Sequence, residues 1–295
     1  MNVRHPPSLA SLALMQGLIR AVLCVIAVGL GGTEAACGQS GVDLWGNGRA
    51  AGLGHTTAAL AEGTGVHANP AAGAGAETRR VAFFGRQSYG LAALRYGSVS
   101  LRWPQALWDW QMTLLGGAST FGGEGYREGH YSLGIARTLS FGTSRAVSAG
   151  LLVRYYHTRI EGYGAAGAVG LHVGALFPLL PALRLGVHAT NINAPALTKG
   201  EPLPQTLALG LHYRVRSGVQ VVADVFKDLS FPASLRGGVE VRPLSPIALR
   251  AGITSSPVRF TGGVGLRLRR LRVHLAAEQH RTLGWSPAGA LSVRW

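Results

Sequence analysis

Ten histidines, 13 acidic residues and 28 basic residues are the groups in this 295-residue chain that could do chemistry. Their spacing assembles no reaction centre. No His-Glu-x-x-His places two imidazoles and a base on one helix face, and no Gly-x-Ser-x-Gly forms a nucleophile elbow. Both cysteines, Cys24 and Cys37, fall within the first forty residues, so no thiolate follows them. The run Gly122-Gly123-Glu124-Gly125 lacks the spacing and the following helix of a phosphate loop and reads as a hairpin tip. The expectation is a protein with no catalytic residues, no metal site and no cofactor.

Of the basic residues only Lys199 and Lys227 are lysine, leaving 26 arginines and a net charge of +15. Nucleic-acid binders gather such charge on one face or in a run. Here the arginines stand singly among apolar and glycine-rich segments, with Leu266 to Arg272 the one dense patch, so nucleic acid is not expected as a partner. The chain is 14% charged and holds 43 glycines, whereas soluble domains are about 25% charged and about 7% glycine. So few charges cover a water-facing surface poorly. A chain that is 47% hydrophobic is equally unsuited to disorder, and its glycines follow no three-residue period.

Periodicity shows which elements must position the charged groups. Leu207, Leu209, Leu211, Tyr213 and Val215 alternate with Ala208, Gly210, His212 and Arg214, and Leu271, Val273, Leu275 and Ala277 alternate with Arg272, His274, Ala276 and Glu278. Successive side chains of a strand point to opposite faces, so these are strands with one greasy face and one small or polar face. Turn residues separate fourteen such segments, near 81–88, 91–103, 110–120, 129–141, 145–160, 164–177, 182–191, 205–216, 218–227, 233–242, 247–254, 258–268, 270–280 and 287–295. Pro243 to Pro246, Ser255 to Pro257 and Trp285 to Pro287 are among the expected turns. A helix over Tyr163 to Leu183 is the weaker reading, because four glycines and two prolines interrupt it.

A soluble sandwich buries the apolar face and wets the other, while a membrane barrel turns the apolar face to lipid. The non-apolar face here is mostly Gly, Ala, Arg and His, which favours an all-β fold: a fourteen-stranded antiparallel transmembrane barrel. The first residues read as an export signal. Arg4 and Arg20 precede the apolar stretch Ala21 to Gly32, and small residues around Ala36-Cys37-Gly38 follow. Residues 1–38 are expected to leave as a signal peptide, with a lipoprotein cleaved before Cys37 as the rival, and the mature chain to reside in the outer membrane. Residues 39–79 would be a short N-terminal segment and 80–295 the barrel. The aromatic Trp295, on a strand where Leu291 and Val293 alternate with Ser292 and Arg294, suits an assembly signal for barrel-assembly machinery.

If the apolar residues face lipid, the lumen receives Arg184, His188, His212, Arg214, Asp224, Arg236, Glu240, Arg250, Arg267, Arg269, Arg272, His274, Glu278 and His280. Most are cationic. One reading has Asp224, Glu240 and Glu278 paired with neighbouring arginines in a purely structural lattice. The other has an electropositive lumen that attracts an anionic amphiphile, with Arg267, Arg269, Arg272 and His274 on adjacent strands as the candidate ligand site.

Before the first strand lies the run from Gly48 to Ala72, GRAAGLGHTTAALAEGTGVHANPAA. It resembles the N-terminal motif of the bacterial outer-membrane superfamily that holds the FadL-like transporters and the PorV/PorQ proteins of type IX secretion. Those proteins open with a Gly-Ala-Arg-Ala-x-Gly-Met-Gly stretch, a short helix with an Ala-rich face and an Asn-Pro-Ala turn. His188 to Asn193, Leu203-Pro204-Gln205 and Leu209 to Tyr213 are similar to the family's downstream pattern, and His280, Leu283-Gly284 and Ser286-Pro287 to its penultimate hairpin. His55 stands where the family has a small residue. The resemblance implies a fourteen-stranded barrel plugged by an N-terminal hatch, with Arg49, Gly52, Gly54, Asn69 and Pro70 as hatch-motif residues. It implies either transport or handling of hydrophobic or amphipathic compounds, or a non-transporting docking barrel for a secretion-system partner. Outer-membrane lipid is expected around it in both cases.

Overall fold

The computed structural model describes residues 47–61, 63–107, 110–141 and 145–295. The expected signal peptide, the rival lipoprotein cysteine and residues 39–46 lie outside the described residues.

Fourteen strands close into one antiparallel barrel. In chain order they are β1 (Arg80–Gln87), β2 (Arg95–Leu107), β3 (Trp110–Gly122), β4 (Tyr126–Phe141), β5 (Arg145–Ile160), β6 (Gly164–Leu180) and β7 (Leu183–Thr190), then β10 (Thr206–Arg216), β11 (Val219–Asp228), β12 (Ser234–Leu244), β13 (Ile247–Ser255), β14 (Val258–Leu268), β15 (Leu271–His280) and β16 (Gly284–Arg294). Two short strands, β8 (Ala196–Thr198) and β9 (Glu201–Pro202), form a separate hairpin between β7 and β10. Closure is made by β1 on β16, from Arg80↔Arg294 to Arg86↔Ala288. Just beyond that ladder Arg79 and Trp295 exchange two backbone hydrogen bonds at 3.2 Å. A closed ring leaves no unpaired strand edge, as lipid surroundings require.

The alternation in sequence becomes an outside and an inside. On β13, Leu249 and Ile253 are exposed on the outer wall, while Arg250 and Thr254 are buried in the lumen. Among the described residues no helix is long and apolar enough to cross a membrane.

Three boundaries differ from expectation. The second strand begins at Arg95 because residues 88–94 form two short 3-10 turns, with Tyr89 at φ 55° and Gly90 at φ 73°. The last strand begins at Gly284, so Trp285-Ser286-Pro287 is strand and pairs with Ala277 to Gln279. Proline carries no N–H, yet it is tolerated where its nitrogen need not donate to the ladder, and the pairing of β16 with β1 reaches only to Ala288. Pro243 likewise lies inside β12, at a register shift between Val241 and Leu244.

The ends of the barrel are unequal. Where the chain enters β1 and leaves β16, the connections are short, such as 181–182, 217–218, 245–246 and 269–270. The opposite end carries the longer ones, 88–94 and 191–205. Short turns mark the periplasmic side of outer-membrane barrels and long loops the outer side. Where β7 stops at Thr190, residues 192 and 193 continue the bonding of the wall: Ile192 N donates to the Leu171 carbonyl at 3.0 Å, and the Asn193 side chain bonds both Leu171 and Val169.

Candidate functional site

Residues 47–79 precede β1, and most of them lie buried inside the barrel as a hatch. It opens on a four-residue helix, α1 (Gly48–Ala51), capped by the Asn47 side chain, which accepts from Arg49 N and Ala50 N at 3.0 Å each. Residues 55–61, which follow it, are not helical. The hatch instead bonds outward to the wall at every few residues.

All three candidate lumen acids hold the hatch. Glu240 is fully buried and receives Arg49 Nε at 2.8 Å, Arg250 Nε at 2.7 Å and Arg242 Nη2 at 2.8 Å, with Gln220 as a further donor. A buried carboxylate among several guanidinium donors satisfies the condition under which burying an ion pair is tolerable. Glu278 faces His55 Nε2, accepts from Arg86 Nη2 at 2.7 Å and has Arg259 at 3.7 Å. Asp224 Oδ2 accepts two hatch amides, Thr57 N at 2.7 Å and Ala58 N at 3.0 Å. The expected pairing with wall arginines is seen for Glu240 and Glu278, whereas Asp224 bonds hatch amides instead; the grip of the three on the hatch was not legible in sequence.

Asn69 does for the second half of the hatch what Glu240 does for the first. Its Nδ2 donates to the carbonyls of Ala58, Val187 and Ala175, and its Oδ1 accepts from Ala71 N at 3.0 Å, starting the turn at Pro70. Arg154 adds a 2.7 Å bond to the Val66 carbonyl, and Thr64 bonds Ser100 at 2.8 Å.

Inward glycines make the room. A Cβ on Gly174 would sit 1.9 Å from Asn69 Oδ1, on Gly186 2.0 Å from the Ala58 carbonyl oxygen, on Gly150 2.4 Å from Pro70 and on Gly252 2.2 Å from Gly54 N. Gly54 itself has φ 64° and lies against two wall carbonyls, and its N–H donates to Thr261 at 2.9 Å. Much of the glycine excess is therefore wall surface shaved to the thickness of the backbone against which hatch backbone packs.

Two cavities lie among the described residues. The lower, toward the chain termini, has about 80 Å³ of space open to water and is lined by Arg49, Arg80, Arg242, Arg250, Arg267 and Arg272, together with Phe84 and His274. No acidic side chain is among its described lining residues. The upper has about 50 Å³ and is lined by His172, His188, Arg154, Arg236, Leu152 and Phe226, among others. His67 and Ala68 line both. The hatch strip Gly63 to Ala68 is thus the partition between the chambers. His67 is buried, and neither ring nitrogen completes a hydrogen bond. Burial, with the Arg154 charge nearby, pushes its pKa down to about 3.

The candidate ligand site divides. Arg267, Arg272 and His274 come together in the lower chamber, where His274 Nδ1 lies 3.1 Å from Arg250 Nη1. Arg269 does not join them: β14 ends at Leu268, and Arg269 is exposed in the turn at φ 38°, its carbonyl accepting from Arg294. Arg214 is also exposed, and His280 instead accepts from the amides of Thr282 and Leu283 in the loop above β15. His55 is a residue whose importance sequence alone did not show. It adopts φ 58° and reaches Glu278, which lies 223 positions away. Among the described residues no three His, Cys, Asp or Glu side chains are grouped to hold an ion.

A closed fourteen-stranded barrel with an apolar outer wall, short turns at the terminal end and a lumen filled by its own N-terminal segment is an outer-membrane barrel. Its fold is shared with solved transport barrels. The toluene transporter TbuX of Ralstonia pickettii superposes with a TM-score of 0.57 over 85% of this chain and 98% of its own, at 14% identity. The toluene transporter TodX of Pseudomonas putida gives 0.55 over 84% and 96%, at 12% identity. A FadL homologue of Pseudomonas aeruginosa gives 0.57 over 85% and 98%, at 11% identity. The architecture is that of the FadL-type barrels. No protein-family model matches the sequence, and no curated protein matches it significantly.

Proposed function

We propose that this chain carries small hydrophobic or amphipathic compounds across the outer membrane through its own lumen, without catalysing their conversion. The observation that carries the reading is the pair of chambers separated by one strip of hatch, Gly63 to Ala68, inside a wall whose pairings close all the way round. A solute on this route must pass the strip, so the hatch moves during transport. The fold shared with barrels named as toluene transporters supports the same reading.

The six arginines of the lower chamber give the solute a chemical character. A guanidinium offers a planar pair of donors to a carboxylate, and Arg49, Arg242 and Arg250 already turn theirs to Glu240. A solute with an anionic head and an apolar body would place its head there, against Arg267 and Arg272, and its body against the hatch.

The test is uptake by cells with and without the gene, comparing labelled toluene, benzoate and a fatty acid. Loss of uptake on deletion, restored by re-expression, is the expected result. Unchanged uptake of all three, with an altered set of secreted proteins, would replace transport by a docking role in secretion. Binding of a fluorescent fatty acid to the purified R267Q/R272Q barrel tests the head-group site: weaker binding at unchanged stability is expected, and unchanged binding removes the site.

A further inference from the structure

Charge is distributed unevenly between the two ends of the barrel. At the long-loop end exposed acids and bases mix: Glu124, Glu161 and Glu201 stand among Arg95, Arg127, Arg159, Lys199 and Arg281. At the terminal end Arg79, Arg214, Arg216, Arg269 and Arg270 are exposed and Arg137 is half-buried. The acids there, among the described residues, are Glu77 and the buried Glu240, which already receives three arginines.

Two of these arginines lie on the outer wall rather than in the lumen. On β4 the exposed row Tyr131, Leu133 and Ile135 continues outward-facing to Arg137, whose guanidinium lies 4.4 Å from the ring centre of Trp110. Next to it around the ring, Arg79 lies 3.9 Å over Trp103 of β2. Trp110 and Trp295 are also exposed. Indole rings settle at the boundary between hydrocarbon and head groups, and a guanidinium stacked on one is held flat with its donors directed toward water.

We propose that this end of the barrel carries an arginine–tryptophan collar, formed by Arg79, Arg137, Arg216, Arg269 and Arg270 with Trp103 and Trp110, that binds the phosphates of anionic phospholipids in the inner leaflet of the outer membrane. The occupant is lipid and not an acidic protein because Arg79 and Arg137 project from the lipid-facing wall, where head groups reach and a periplasmic protein does not. A guanidinium binds phosphate through two parallel donors, and each basic residue near an anionic surface strengthens attachment several-fold. The collar is independent of the solute carried in the lumen. It anchors the mouth of the lower chamber and fixes how deeply the barrel sits.

The experiment is native mass spectrometry of the purified barrel in detergent micelles holding phosphatidylglycerol or phosphatidylcholine with the same chains. Wild type is expected to retain phosphatidylglycerol in preference. The R79Q/R137Q variant should lower that preference by roughly fivefold for each arginine removed, and R269Q/R270Q should lower it again. The opposite-end variant R127Q/R159Q should keep it. Each variant is first shown to be folded by its faster migration on an unheated gel. No preference in wild type, an unchanged preference in folded R79Q/R137Q, or an equal loss in R127Q/R159Q would overturn the collar.

Discussion

On β4, Leu133 leaves 74% of its surface open on the outer wall, while Ser132, one residue back, leaves 3% on the lumen side. The same contrast runs round the ring, and the two faces obey different rules. The outer face meets a uniform solvent, lipid, so any apolar residue serves and only the period of two matters. The inner face meets one particular segment of the same chain, so each position is matched to a hatch atom: Glu240 to Arg49, Glu278 to His55, Gly186 to the Ala58 carbonyl. Substitutions should therefore be tolerated outside by chemical class and inside only by identity.

Removing the anchor on the inner face should have the largest effect. Glu240→Ala leaves Arg49, Arg242 and Arg250 facing one another without their shared carboxylate. Breaking a buried ion pair from one side costs about 3–5 kcal/mol. Urea unfolding in detergent should show a loss of that order, and a loss below about 1 kcal/mol would mean water already screens the cluster.

On the outer face Leu275→Arg violates the class rule. Leu275 is exposed on the wall and pairs with Val264 and Gly289. Arginine on the lipid face near the midplane costs about 2–4 kcal/mol, whereas Leu275→Ile should change little by the same assay.

Two glycines sharpen the comparison. Gly186→Ala puts a methyl 2.0 Å from the Ala58 carbonyl oxygen, and overpacking of that kind costs typically 1–3 kcal/mol. Gly289→Ala meets only the end of Leu275 at 3.8 Å and should stay within about 0.5 kcal/mol. Equal effects in a side-by-side melt would show that the hatch does not press on the wall.

At neutral pH the smallest effect is that of His67, whose contribution shows only as the medium turns acid. Its folded pKa, about 3, lies below the ordinary 6.5, so the unfolded chain binds the proton first. The stability this gives is fully present above 6.5 and is lost as pH falls toward 3. His67→Gln should flatten the acid limb of stability against pH in that window; an identical limb in both proteins would exclude His67 as a contributor.

The outer face was the legible one. Leu207 to Val215 and Leu271 to Ala277 show their period in a dozen residues, and β5, β13 and β14 fall within a residue of where that period places them. Proline misled at Trp285 to Pro287, because the pattern cannot tell a turn proline from one that sits in a strand. The inner face was legible only in composition. The partners of Arg49 and His55 lie 191 and 223 positions away, and no local pattern encodes a contact of that span. Arg269 was misplaced by a simpler cause: it lies in the turn that follows β14, where the alternation of the strand no longer sets which way a side chain points.

The lumen route itself can be tested by fastening the partition. A Cβ on Gly117 would lie 2.5 Å from Val66 Cγ1, close enough for a V66C/G117C disulfide to tie the Gly63 to Ala68 strip to β3. Uptake of labelled toluene or benzoate, whichever the unlocked barrel carries, is measured in cells before and after oxidation and again after reduction. Transport through the lumen predicts uptake that stops with the disulfide closed and returns with the reductant. Uptake that continues at the same rate with the disulfide fully formed would contradict it.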